Sequence, residues 1–291
     1  MKERETFELD TTIIKKARQK SYRRMIWTSA VVVVTSFVTC SILAWQWNSW
    51  RLNQKMIQAE LEYDVYGMNR YIGNFEESVR PWGATAQAPT YSLVAGQPAD
   101  VIVLNAPFNT PSAYLEPNDT TRYLQNGHKL KLWYAPEVMY AKLANDREIL
   151  RNMPATKRVE LAVSFDRSFT IEEWEKVAHN DITMAYWIDD EQPVDDQPID
   201  ERFAMGISLQ DEGGDWLENP VAHFVESAER LAKDKQDKQL QATITKWQTH
   251  QKIRGVVLVG SPQQLYEATS APFVRATSIG TMIDYYEEDV Q

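Results

Sequence analysis

The side chains able to do chemistry are scattered in this chain rather than gathered into a working set. Nucleophilic hydrolysis needs a serine or cysteine with a base held beside it. No G-x-S-x-G pattern is present, and Ser261 after Gly260 is followed by Pro262-Gln263-Gln264, the signature of a helix cap. The histidines are His128, His179, His223 and His250; they form no H-E-x-x-H and no close pair, so each is expected at the surface. Gly213-Gly214 reads as a turn, and no phosphate-cradling glycine pattern appears. The densest acidic stretch holds Asp189, Asp190, Glu191, Asp195, Asp196, Asp200 and Glu201. Oxygen ligands in that density could take Ca²⁺, which makes Asp189, Asp190, Asp195 and Asp196 a weak candidate site. The spacing is not that of an EF-hand, and a solvated, self-repelling loop explains it more simply. The single cysteine, Cys40, leaves no thiolate pair for a metal or a disulfide. The expectation is a protein that is not an enzyme and needs no cofactor.

Residues 25–47 contain no ionisable acid or base. A helix over them rises ~35 Å, enough for a hydrocarbon core of ~30 Å. Trp27 at one end and Trp45, Trp47 and Trp50 at the other are expected at the membrane interfaces. Before the span come Lys15, Lys16, Arg18, Lys20, Arg23 and Arg24, six cations in ten residues without an acid. The positive-inside rule puts this flank in the cytoplasm and the rest of the chain outside. The apolar run is longer than a signal-peptide h-region and ends in Trp-Gln-Trp-Asn-Ser-Trp rather than a cleavage site, so an uncleaved anchor is expected. Residues 1–24 carry eight basic and four acidic side chains, net +4; against −10 for the whole chain, the remainder carries −14. An acidic outer domain has no cationic face for nucleic acid, so direct nucleic-acid binding is not expected. The basic flank is suited to anionic headgroups of the bilayer, its lipid partner.

These features predict an α+β protein with the following parts: a cytoplasmic tail over 1–24, a transmembrane helix over 25–47, a helical stalk over 48–80, an extracytoplasmic subdomain over 81–154 and a C-terminal α+β domain over 155–291. In the tail, Asp10-Thr11-Thr12 is a helix start, and Phe7, Leu9, Ile13, Ile14 and Ala17 give an apolar stripe. Such a segment is marginal alone and becomes ordered on a membrane or in a partner's groove. Pro and Gly in 81–99 are expected to break the stalk. Val101–Leu104 and Lys129–Tyr134 read as strands, the second with one wet face; 136–153 reads as helix. Beyond residue 157 the predicted order is β-α-β-β-α-β-α-β in a mixed sheet with helices on one face. Thr170-Ile171-Glu172-Glu173 and Ser261-Pro262-Gln263-Gln264 are capping boxes, and Asn219-Pro220 opens a long amphipathic helix to about residue 251. Trp216, in a glycine-rich turn, is a candidate exposed contact, whereas Trp133, Trp174, Trp187 and Trp247 are expected in the core.

Thr12-Ile13-Ile14-Lys15-Lys16-Ala17-Arg18-Gln19-Lys20-Ser21-Tyr22-Arg23, running into the anchor, resembles the N-terminal module of bacterial sigma-factor-regulator proteins, membrane-anchored anti-sigma factors of the sigma-M-inhibitor type. Glu160–Asp166 with Phe169-Thr170, Ile253–Pro262 followed by Leu265, and Phe273–Gly280 resemble the outer domain of the same family. The resemblance implies a single-pass bacterial membrane protein, its N-terminus cytoplasmic, whose tail sequesters an extracytoplasmic-function sigma factor. The outer domain would respond to envelope stress, with a second small membrane protein as a further candidate partner. Ile14, Lys15, Lys16, Arg18 and Tyr22 are the candidate sigma-factor contacts. The alternative is an anchored extracellular module that binds a cell-wall or envelope ligand and whose tail only sets topology.

Overall fold

The computed structural model describes residues 11–108, 113–115, 122–124, 128–177, 181–191 and 196–285. The chain divides into two compact units, Met1–Leu52 with Ser78–Thr85, and Asn53–Glu77 with Ala86–Gln291.

The first unit is dominated by α1 (Thr11–Tyr66), whose last residues belong to the second unit. The helix is long and apolar enough to cross a membrane. Val31, Val32, Val33, Val34, Phe37, Ile42 and Leu43 are all exposed around its circumference, the pattern of a helix solvated by lipid. Its threonine hydroxyls in the apolar run are satisfied within the helix: Thr28 donates to the Met25 carbonyl, Thr35 to that of Val31 and Thr39 to that of Thr35. Hydrocarbon, which offers no partners, requires this.

In the second unit α1 buries Ala59, Leu61 and Val65. It stops at Tyr66, so the stalk expected to be helical to residue 80 is shorter. The Gly67 amide donates back to the Tyr63 carbonyl at 2.7 Å, and Met68 and Asn69 take left-handed φ of 41° and 70°. A Cβ on Gly67 would lie 2.2 Å from that carbonyl oxygen, so only glycine fits this turn. The chain then enters β1 (Arg70–Ile72), β2 (Glu76–Arg80), β3 (Gly83–Val94) and β4 (Gln97–Asn105), with β3 paired to each of the others. Residues 81–99, expected to break the stalk, are mostly strand, and the helix has already ended at Tyr66. Ala95 and Gly96, with φ of 53° and 73°, make the hairpin turn between β3 and β4. Three short strands, β5 (Ala113–Leu115), β6 (Arg122–Leu124) and β7 (Lys129–Leu130), form a second sheet. After β8 (Leu132–Trp133), the helix expected over 136–153 is reduced to α2 (Arg147–Arg151).

The remaining elements are β9 (Lys157–Thr170), α3 (Ile171–Glu175), β10 (Thr183–Ile188), β11 (Ile199–Asp200), β12 (Gly206–Ser208), α4 (Pro220–Lys235), α5 (Lys238–His250), β13 (Lys252–Gly260), α6 (Pro262–Ala268) and β14 (Val274–Asp284). The α+β expectation stands at the level of class, but the details differ. The five-stranded sheet runs β12-β10-β13-β9-β14 with every neighbouring pair antiparallel, not mixed. β11 leaves this sheet and pairs with β8. The long helix is two helices, divided at Gln236, which sits at φ 54°. Both expected capping boxes are formed, at Thr170 and Ser261.

Alternation along β9 sorts its side chains between two faces. Val159, Leu161, Val163 and Phe165 join Phe224, Leu231, Ile244 and Trp247 of the helices in one core cluster. Ala162 on the other face joins Met68, Trp133 and Trp187. Both faces of the sheet are thus covered, and Glu160, one residue before Leu161, has no wet side to face.

Candidate functional site

The candidate site has two parts, one in each unit. In the first, α1 presents the tail residues. Ile14, Arg18 and Tyr22 recur every fourth position and share one helix face, with Lys15 at its flank. Lys16 lies on the opposite face, with Lys20 and Arg23, so the five candidate contacts do not form one surface. Tyr22 is well exposed, as are Trp27, Trp45, Trp47 and Trp50 at the two ends of the apolar run.

In the second unit, six ionisable side chains meet just beyond the end of α1. Lys131, completely buried, places Nζ 2.9 Å from Glu160 Oε1 and 3.0 Å from Glu201 Oε2. Glu201 Oε1 is 2.7 Å from Nε2 of His128, and the other ring nitrogen, Nδ1, is 2.5 Å from Asp100 Oδ2. Arg70 Nη1 closes the group at 3.2 Å from Asp100 and 3.7 Å from Glu201. Glu160, also completely buried, accepts further bonds from Asn69 Nδ2 at 2.8 Å and from the Thr281 amide at 3.2 Å. Arg70 comes from β1, Asp100 from β4, His128 and Lys131 from either side of β7, Glu160 from β9, and Glu201 from just after β11. With the imidazole protonated, three cations face three anions.

The electrostatics follow from burial opposed by partners. Burial works against the charge on His128, but its contacts with Asp100 and Glu201 outweigh that and raise its pKa above the ordinary 6.5. Burial likewise opposes the Glu201 charge, yet Lys131, His128 and Arg70 hold the carboxyl far below the usual range. Asp100 is lowered despite burial by His128 and Arg70. Lys131 is raised despite complete burial, because Glu160 and Glu201 flank it. Beside the cluster lies a cavity of about 390 Å³ lined by Tyr63, Tyr66, Arg70, Phe108 and Phe203, among others.

The acidic loop has a different role from the one its composition invites. Arg254, buried on β13, is ion-paired to Asp189 and Glu137 at 2.7 Å and to Asp190 at 3.3 Å. Ser168 also donates to Asp189 at 2.5 Å. Two of the four calcium candidates are therefore engaged with a guanidinium. Asp196 is exposed, and Asp195 lies outside the described residues. Among the described residues no group of three or more His, Cys, Asp or Glu is arranged to hold a metal. His128 was expected at the surface and is buried, whereas His223 and His250 are exposed and His179 lies outside the described residues. Trp216 is exposed, and Trp133, Trp174, Trp187 and Trp247 are buried. Sequence reasoning missed the cluster altogether. Apart from His128 and Lys131, its members are far apart in the chain, and each looks like an ordinary surface charge.

Residues 150–281 match the family described as sigma factor regulator C-terminal. The match supports a sigma-factor-regulator family over this part of the chain; that family is a regulatory one and implies a sigma factor as partner. No curated protein and no solved structure matches it. Together with the long apolar helix, the match fits a single-pass membrane anchor.

Proposed function

We propose that the chain is a membrane-anchored anti-sigma factor that acts by sequestration. Its N-terminal tail lies in the cytoplasm and holds an extracytoplasmic-function sigma factor away from core RNA polymerase. The outer domain responds to envelope stress, with a second small membrane protein as a candidate co-regulator. The observation that carries this reading is the sigma factor regulator match over residues 150–281, downstream of an anchor whose preceding turns are cationic. The helical register favours Ile14, Arg18 and Tyr22, with Lys15, as the sigma-facing surface. Lys16, on the opposite face, is a weaker contact in this reading and suits lipid headgroups instead.

The test is a photo-crosslinker at Ile14 in solubilised membranes. Capture of a sigma factor is the expected result. Capture of lipid alone would leave the tail as a topogenic signal. A second reading, an anchored receptor for an envelope ligand, draws on the 390 Å³ cavity. Binding of cell-wall polymer by the chain, with its deletion leaving sigma-dependent transcription unchanged, would carry that reading instead.

A further inference from the structure

The six-ion cluster sits where the anchor helix hands over to the sheets. Asn69, the last residue of the turn, and Arg70, the first of β1, bond directly into it, and Glu160 carries it into β9. Anything that weakens the cluster loosens the attachment of the helix end to the five-stranded sheet. One member differs from the rest. Arg70 and Lys131 have pKa values raised beyond their ordinary alkaline ones, and Asp100 and Glu201 are held below theirs. Tyr63, whose ring approaches from α1, is pushed up by burial and stays neutral. His128 is the member whose ordinary pKa lies close to neutrality.

Both ring nitrogens of His128 face a carboxylate oxygen, at 2.5 Å and 2.7 Å. Only an imidazolium donates from both nitrogens. Arg70 Nη1 also lies 3.1 Å from Nε2 and opposes the charge on the ring. Losing the Nε2 proton would let that nitrogen accept from Arg70, but it breaks the bond to Glu201 and sets the nitrogen lone pair against that carboxylate. It also leaves three anions against two cations, with Arg70, Lys131, Glu160 and Glu201 all buried.

We infer that the junction between the end of α1 and the sheet is a latch, closed while His128 is protonated between Asp100 and Glu201 and released as the medium outside turns alkaline. The inference deepens the proposed function by naming a regulation of the outer domain. The junction itself can be measured whether or not the tail binds a sigma factor. The direction follows from linkage. The folded-state pKa lies above the free value of 6.5, so the stabilisation is complete below 6.5 and is lost as pH rises through the raised value.

The experiment is hydrogen exchange on the full chain in lipid nanodiscs, followed at residues 67–72 and corrected for the intrinsic pH dependence of exchange. Protection in the wild type should be constant below about pH 6.5. Above that it should fall by up to about tenfold per pH unit, and level off once His128 is neutral. H128Q, which cannot be protonated, should show lower protection that is flat from pH 6 to 9. Flat protection in the wild type, or the same slope in H128Q, would overturn the latch. Should H128Q fail to fold, ¹³C-labelled histidine in the wild-type chain gives a second reading, with His128 assigned by substituting the other three histidines. A His128 pKa above 6.5 supports the latch, and one at or below 6.5 overturns it. A tail that captures no sigma factor would leave these exchange rates unchanged, so the two readings fail separately.

Discussion

Lys129 and Lys131 stand two residues apart and look alike in the sequence, yet they inhabit different environments. Lys129 pairs with Asp146 at 2.7 Å, with both side chains partly exposed. Lys131 is sealed between Glu160 and Glu201. Lys131→Met would leave two buried carboxylates without the cation between them, a loss of ~3–5 kcal/mol. Lys129→Met removes a partly solvated pair and should cost under ~1 kcal/mol. Urea unfolding of the solubilised chain, followed by tryptophan fluorescence, measures both. Equal costs would mean that water reaches Lys131. The alternation Lys129-Leu130-Lys131-Leu132 revealed that two kinds of face exist. It did not reveal that the polar face is dry at Lys131, because that depends on Glu160 and Glu201, which arrive from β9 and from the segment after β11. Asp189 and Asp190 illustrate the same limit: an acidic loop reads as solvated until the buried Arg254 is found beneath it.

Among the elements, those legible in advance were the ones whose signal is local. β9, β13 and β14 announce themselves by apolar alternation or by unbroken apolar runs, and α3 and α6 by capping boxes that the structure forms as expected. The division of α4 from α5 was not legible. Lys-Asp-Lys-Gln-Asp-Lys contains neither glycine nor proline, and the break rests on two features. Gln236 adopts a left-handed φ of 54°, and the Asp237 carboxylate accepts from the amides of Gln239 and Leu240. Gln236→Gly should therefore stabilise the protein by ~0.5–1 kcal/mol, since glycine takes this conformation without a Cβ penalty. In a continuous helix the same change would destabilise by about as much. Asp237→Ala should cost ~1 kcal/mol by removing the cap. The sign of the Gln236→Gly shift in Tm decides whether the break is real. The hairpin of β3 and β4 was missed for a related reason. Its prolines and glycines read as punctuation, although Ala95 and Gly96 alone make the turn.

For the molecule as a whole, the cluster sets a pH profile of stability with two descents. Asp100 and Glu201 have folded pKa values below their ordinary 3.8 and 4.5. Their contribution is present above those values and is lost as the medium is acidified through the lowered ones. His128 contributes fully below 6.5 and is lost on the alkaline side. Tm should therefore be highest between about pH 4.5 and 6.5. His128→Gln should abolish the alkaline descent and leave the acid one, as thermal unfolding across pH would show. An alkaline descent that survives the substitution would assign it to another group.

The family match opens at residue 150, but four of the six clustered ions, Arg70, Asp100, His128 and Lys131, come from before it. Inside it stand Glu160 and Glu201. The matched stretch thus supplies two of the three acids of a molecular lock whose bases are all kept elsewhere. Grafted into another receptor, residues 150–281 would carry two acids into a host with nothing to neutralise them. A working chimaera of this protein has to exchange the preceding segment along with it.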